Sequence, residues 1–84
     1  MAKVVLRSPL RDLAGGRSSV DVAGGSVGEV LGRLEGEYPK LTGWVRDEQG
    51  GIRRHVNVFL NGERAKADAH VDAGDTITIL PNIS

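Results

Sequence analysis

Thr76-Ile77-Thr78-Ile79-Leu80-Pro81-Asn82-Ile83-Ser84 closes the 84-residue chain. Polar and apolar residues alternate over 76–79, and Leu80 extends the run. Strict alternation of this kind marks a strand with one buried face. Pro81 is expected to end sheet pairing and to keep the last three residues extended. Small domains ordinarily finish in a loose polar tail or a docked helix. A core strand at this position instead sends the C-terminus into solvent, and the preceding residues read as a platform that presents it.

Working outward, Val71-Asp72-Ala73-Gly74-Asp75 is a tight turn leading into that strand. Residues 54–60 form another strand, closed by the hairpin signal Asn61-Gly62. The mixed, polar residues 63–71 suit a short edge strand. At the other end, Lys3-Val4-Val5-Leu6-Arg7 is a β-branched run bounded by Ser8-Pro9. Ser18, Val20 and Val22 continue as a second strand, and Gly15-Gly16 between the two predicts a hairpin.

Ser26-Val27-Gly28-Glu29 is a capping box. The Ser26 hydroxyl accepts from the Glu29 amide and the Glu29 carboxylate can reach back to the Ser26 amide. Val27, Val30, Leu31, Leu34 and Tyr38 recur at helical spacing as one buried stripe, and Glu29, Arg33, Glu35 and Glu37 fall mostly on the other face. Pro39 stops this helix. Gly28, Gly32 and Gly36 weaken it by about 1 kcal/mol each relative to Ala, and are expected to let it lie close on a sheet. Residues 40–53 then make a long connection, packed down as a flap by Leu41, Trp44 and Val45.

Eleven basic side chains balance eleven acidic ones. A nucleic-acid binder requires a surplus of Lys and Arg, so no nucleic-acid partner is expected. The chain has no cysteine, which excludes disulfides, thiolate nucleophiles and Cys-based metal sites and fits a reducing cytoplasm. No apolar run approaches the roughly 20 residues of a membrane span, and Met1-Ala2-Lys3 enters a strand without a signal peptide. A cytoplasmic location and no membrane partner are therefore expected.

The element order is β-β-α-β-(β)-β. A hairpin, a crossover helix and further strands ending in a central one describe an α+β, ubiquitin-like β-grasp fold. Its mixed sheet has four to five strands and one crossover helix. The first and last strands lie side by side and parallel at the sheet centre. Residues 1–84 are expected to form one such domain, with 81–84 as an exposed tail.

Three stretches then carry a family resemblance: Val56-Asn57-Val58-Phe59-Leu60-Asn61-Gly62-Glu63, Asp72-Ala73-Gly74-Asp75 and Ile77-Thr78-Ile79-Leu80-Pro81. In order and spacing the chain resembles the ubiquitin-like sulfur carriers of the ThiS and MoaD group, most closely the CysO-type members. The resemblance covers nearly the whole chain. It implies a carrier rather than an enzyme. An E1-like enzyme adenylates the carrier's terminal carboxylate with ATP, a sulfur donor converts it to a thiocarboxylate, and the carrier hands sulfur to a biosynthetic enzyme. The destination is cysteine, a cofactor such as the molybdenum cofactor or thiamin, or a secondary metabolite. ATP belongs to the activating enzyme, and no metal or cofactor is implied for the chain itself.

Carriers of this family end in Gly-Gly, whereas this sequence stops at Ser84. A tail entering a narrow adenylation channel must be thin and conformationally free, so the functional end is expected beyond Ser84, and no catalytic residue is assigned. A small subunit of molybdopterin synthase, and a ubiquitin-like interaction module without sulfur chemistry, are the competing readings.

Strand alternation assigns Val4, Leu6, Val58, Leu60, Ile77 and Ile79 to the core. Val5, Phe59 and Leu80 then share the opposite face as a partner-docking patch, unless a flap residue such as Trp44 covers them. Pro81, Asn82, Ile83 and Ser84 form an arm that a partner enzyme takes in. His55 and His70 read as surface or strand-edge residues. Arg46, Arg53 and Arg54 offer contacts to an acidic partner, although solvated loop charges are the simpler account. Asp68, Asp72 and Asp75 suit turn formation better than cation binding. The glycine pairs lack P-loop spacing, and Ser26 is a cap without a neighbouring base to activate it.

Overall fold

The alternating apolar runs form strands. A computed structural model describes residues 1–8, 10–47, 49, 51–54 and 56–81. Strands β1 (Ala2–Leu6), β2 (Ser19–Val22), β3 (Val56–Leu60), β4 (Glu63–Arg64) and β5 (Thr76–Pro81) make one mixed sheet in the order β2-β1-β5-β3-β4. β1 and β5 run parallel at its centre, with Val4 opposite Ile77 and Leu6 opposite Ile79. All other neighbours are antiparallel.

Helix α2 (Val27–Glu37) is fixed at its start by the expected cap: the Glu29 amide donates to Ser26 Oγ at 3.2 Å. The Glu29 carboxylate lies 3.6 Å from Arg33, on the helix surface. Val27, Val30, Leu31 and Leu34 are buried in one cluster with Val4, Leu6, Val58, Ile77 and Ile79. Tyr38 and Leu60, at the margins, are half-buried against it. Burying a side chain of this kind contributes about 1.5–3 kcal/mol, so the stripe and the alternating strands hold the helix to one face of the sheet.

Several expectations are corrected. The β1–β2 connection is more than a glycine turn. It contains a one-turn helix, α1 (Leu10–Leu13), whose Leu10 is fully buried, as is the following Ala14. β3 begins at Val56 rather than at residue 54. In the flap, Leu41 (in a 3₁₀ turn, Pro39–Leu41) and Val45 are buried, but Trp44 is 47% exposed. Glu35 is buried, not solvated. The helix glycines do not face the sheet: Gly28 abuts the backbone of Ala67 and Gly32 lies under the Arg46 guanidinium. Pro81 pairs with Val56 as the last residue of β5 instead of ending the pairing. It sits two residues past the last β1 partner, so its missing N–H costs no bond to β1. Pro9, Gly50 and His55 lie outside the described residues, as do Asn82, Ile83 and Ser84.

The two weak turn signals prove to be one structure. Asn61-Gly62 joins β3 to β4 as a two-residue loop with both φ angles positive, 52° and 87°, a backbone that Asn and Gly tolerate best. Asn61 then reaches the turn before β5. Its Nδ2 donates to Asp75 Oδ1 at 3.1 Å, and its Oδ1 accepts from the Thr76 amide at 2.9 Å. Asp75 Oδ2 accepts from the Asp72 amide at 2.8 Å. The Asp72 amide foremost, and then Asn61, hold the Asp75 carboxyl below its ordinary value.

A lowered folded-state pKa favours the ionised form. The stabilisation it brings is complete above the unfolded Asp value of about 4 and is lost as pH falls through the lowered folded value. Asp75→Asn is therefore expected to flatten the acid limb of stability against pH, read from denaturation midpoints at a series of pH values below about 5. Superimposable acid limbs for the two proteins would assign the acid loss to other carboxyls.

Candidate functional site

The face of the sheet opposite α2 is built by the second set of alternating residues. Register places Val5 opposite Thr78 and Thr78 opposite Phe59, in one row across β1, β5 and β3. Leu80 is two residues along from Thr78, on the same side of β5 and opposite Asn57. It is thus a diagonal neighbour of both Val5 and Phe59, at roughly 7–8 Å between backbones, within reach of long side chains. Val5, Phe59 and Leu80 are each half-buried.

The structure therefore brings the three expected apolar residues together around Thr78. The buried flap residues Leu41 and Val45 belong to the core cluster with the α2 stripe. Lys3, Ser19 and Arg64 frame the patch: Lys3 pairs with Thr76, Ser19 with Val5 and Arg64 with Phe59. Arg64 also donates from its guanidinium to Asn57 Oδ1 along the β3 edge. The sequence reading missed this last contact. Its signal was the hairpin itself, because a two-residue Asn61-Gly62 loop fixes which residues of β3 and β4 face each other.

Pro81 closes β5 beside this patch. Of the other candidates, His70 is exposed, with Nε2 2.6 Å from Asp72 Oδ1. Ser26 serves as the α2 cap, and Asp72 and Asp75 serve the turn. Arg46 is drawn inward to Glu35 at 2.6 Å, leaving Arg53 and Arg54 exposed. Among the described residues no group of three His, Asp or Glu side chains is placed to hold a metal ion. No described helix is long and apolar enough to cross a membrane.

A sheet of this order, with parallel central strands, one long helix on one face and an apolar patch on the other, defines a ubiquitin-like β-grasp protein. The chain belongs to the ThiS family, which it matches over residues 4–84, and within the ThiS/MoaD group it is of the CysO type. It is 37% identical to small archaeal modifier protein 1 of Haloferax volcanii, covering 94% of this chain and 93% of that one. It is 34% identical to the sulfur carrier protein CysO of Mycobacterium tuberculosis, covering 89% and 87%. The structure of an Amycolatopsis orientalis BexX/CysO complex contains a chain that superposes with a TM-score of 0.91 at 30% identity, covering 100% of this chain and 98% of that one. These relatives are small carriers and modifiers, and one of them is seen with a partner protein.

Proposed function

We propose that this protein is a sulfur carrier that acts as a substrate of partner enzymes. An oxygen of its C-terminal carboxylate attacks the α-phosphorus of ATP on an E1-like enzyme, forming an acyl-adenylate and releasing pyrophosphate. Hydrosulfide from a sulfur donor then attacks the acyl carbon and displaces AMP, which leaves a C-terminal thiocarboxylate. The carrier passes that sulfur to a biosynthetic enzyme. Val5, Phe59 and Leu80 dock the activating enzyme, and the arm Pro81, Asn82, Ile83 and Ser84 enters its active site. The nucleotide belongs to that enzyme, and this chain contributes the acceptor carboxylate.

The observation that carries the reading is the position of β5. The strand leading to the C-terminus lies between β1 and β3, so its direction is fixed from both sides. A partner that grips the neighbouring patch receives the end in a set geometry, and fixing the reacting group in this way removes much of the entropic part of a barrier.

The likeness to an archaeal modifier protein supports a second reading, in which the activated carboxylate is transferred to another protein. Intact-mass spectrometry of the protein from its native host, with sequencing of its C-terminal peptide, separates the two. The carrier reading expects a glycine-terminated end, with part of the population having sulfur in place of one carboxylate oxygen. Higher-mass protein adducts without any sulfur-bearing form would favour the modifier. An end that an E1-like enzyme and ATP leave unchanged would sink both.

A further inference from the structure

We propose that the end of the sheet from which the C-terminus departs is an arginine collar that docks an acidic protein surface. Three separate segments converge there. Arg7 follows Leu6, the last β1 residue, which pairs with Ile79 near the close of β5. The Arg11 amide donates to the Arg7 carbonyl at 3.1 Å, which folds α1 back against that strand end. Ser18 accepts from the Leu6 amide at 2.8 Å, which brings Arg17 to the same edge. On the other side of β5, the Val56 amide donates to the Arg53 carbonyl at 3.0 Å, in a turn that sets Arg53 and Arg54 beside the Val56–Pro81 pair.

All five arginines are exposed. Among the described residues, none of them pairs with a carboxylate. Two neighbouring carboxylates are engaged in local hydrogen bonds. Asp12 accepts from Ser8 Oγ, and Asp47 accepts from the Gln49 and Gly51 amides. At the opposite end of the sheet Asp21, Glu63, Asp72 and Asp75 stand among basic neighbours, with Lys3 opposite Asp21 and Arg64 next to Glu63. Five of the eight arginines thus gather at the end of the sheet where β5 closes, in a chain whose formal net charge is zero.

Trp44 lies on the collar's rim, because the Arg53 amide donates to the carbonyl of its neighbour Val45 at 2.9 Å. Exposed Trp and Arg together are the residue types that dominate binding energy at protein interfaces. Charge of one sign steers a complementary partner and fixes its orientation. The chain has no surplus of Lys and Arg, eleven against eleven acidic side chains, and phosphate-backbone binding rests on such a surplus. A compact acidic protein surface fits better.

The carrier reading supplies a natural owner for that surface, namely the activating enzyme, but the collar is testable without any sulfur chemistry. The full-length ¹⁵N-labelled chain is titrated with a peptide of alternating Glu and Ser at about 0.01 M salt, where the Debye length is roughly 30 Å. The amide shifts are expected at residues 7, 11, 17, 53 and 54. The emission of Trp44, the only tryptophan, is expected to change with them. Affinity should fall about tenfold or more on going to about 0.15 M salt, as screening shortens to roughly 8 Å. Arg7→Glu with Arg54→Glu should weaken binding by at least about tenfold, and Arg→Lys at both sites should preserve most of it, since steering depends on charge. Amide shifts unchanged away from the collar certify the fold of each variant. Absence of binding at low salt, shifts scattered over the surface, or indifference to the charge reversal would overturn the proposal. Tighter binding of a single-stranded oligonucleotide at the same residues would replace the acidic protein with a nucleic acid. Failure of sulfur loading with an intact collar would count against the carrier reading alone.

Discussion

Phe59→Asp is expected to fold normally and to lose activation by an E1-like enzyme at least about thirtyfold, the equivalent of a hot-spot loss of about 2 kcal/mol. The two expectations have different physical sources. Phe59 points to the face away from α2, and the α2-facing positions on either side of it in β3 are Val58 and Leu60. Removing it leaves the core cluster intact, so the stability cost is that of a poorer strand residue, about 1 kcal/mol. Docking is another matter. The aspartate places a charge at the centre of the row Val5–Thr78–Phe59–Arg64. An apolar partner surface closing over that row would have to strip the charge of water. Pyrophosphate exchange dependent on this protein reads the activation step, and the thermal midpoint reads the fold. Normal exchange by a folded Phe59→Asp protein would falsify the docking role of the patch. Loss of both would show that the residue belongs to the core after all.

The apolar face opposite α2 was legible because it depends on period and register alone. Once β1, β3 and β5 are recognised and β1 is set beside β5, alternation decides which side Val5, Phe59 and Leu80 occupy, and a slip of one residue would have exposed Ile77 and Ile79. The α2 start was legible for a similarly local reason, since the Ser26 hydroxyl accepts from the amide three residues on, although the Glu29 carboxylate turns to Arg33 instead of reaching back to Ser26. What escaped depends on segments distant in sequence. Helix α1 is a single turn, too short to display a helical period, and Leu10 declares itself only by being buried. Trp44 reads as an anchor by its size, yet Leu41 and Val45 on either side fill the space beneath the flap. The arginine collar assembles from residues 7–17 and 53–54, which are adjacent only in the folded sheet. Pro81 escaped because a proline stops pairing only where its N–H is needed, and that depends on where the neighbouring strand ends.

Glu35 too is placed by a segment distant in sequence. Helical spacing puts it on the polar side of α2, but the flap folds over that side and buries it to 8% exposure. Arg46 makes this tolerable. Its Nε donates to Glu35 Oε1 at 2.6 Å, and the Gly43 amide donates more weakly to Oε2 at 3.4 Å. Gly32, one turn earlier, provides the seat: a Cβ there would stand 3.2 Å from the guanidinium. The pair therefore ties helix to flap through a carboxylate that has little access to water.

Breaking such a pair from one side leaves a charge stranded. For fully buried pairs the loss is about 3–5 kcal/mol. The Arg46 side chain retains 30% exposure, so water recovers part of it, and Arg46→Met is expected to cost about 2–3 kcal/mol. In a domain of this size that lowers the thermal midpoint by about 10–20 °C. Glu35→Leu combined with Arg46→Met removes both charges and should be the more stable of the two variants, because an apolar replacement of the whole pair leaves no charge stranded. Thermal midpoints of the two single variants and the double variant make the cycle. Additive losses would mean that the two residues act independently, and the flap would then be held by Leu41 and Val45 alone.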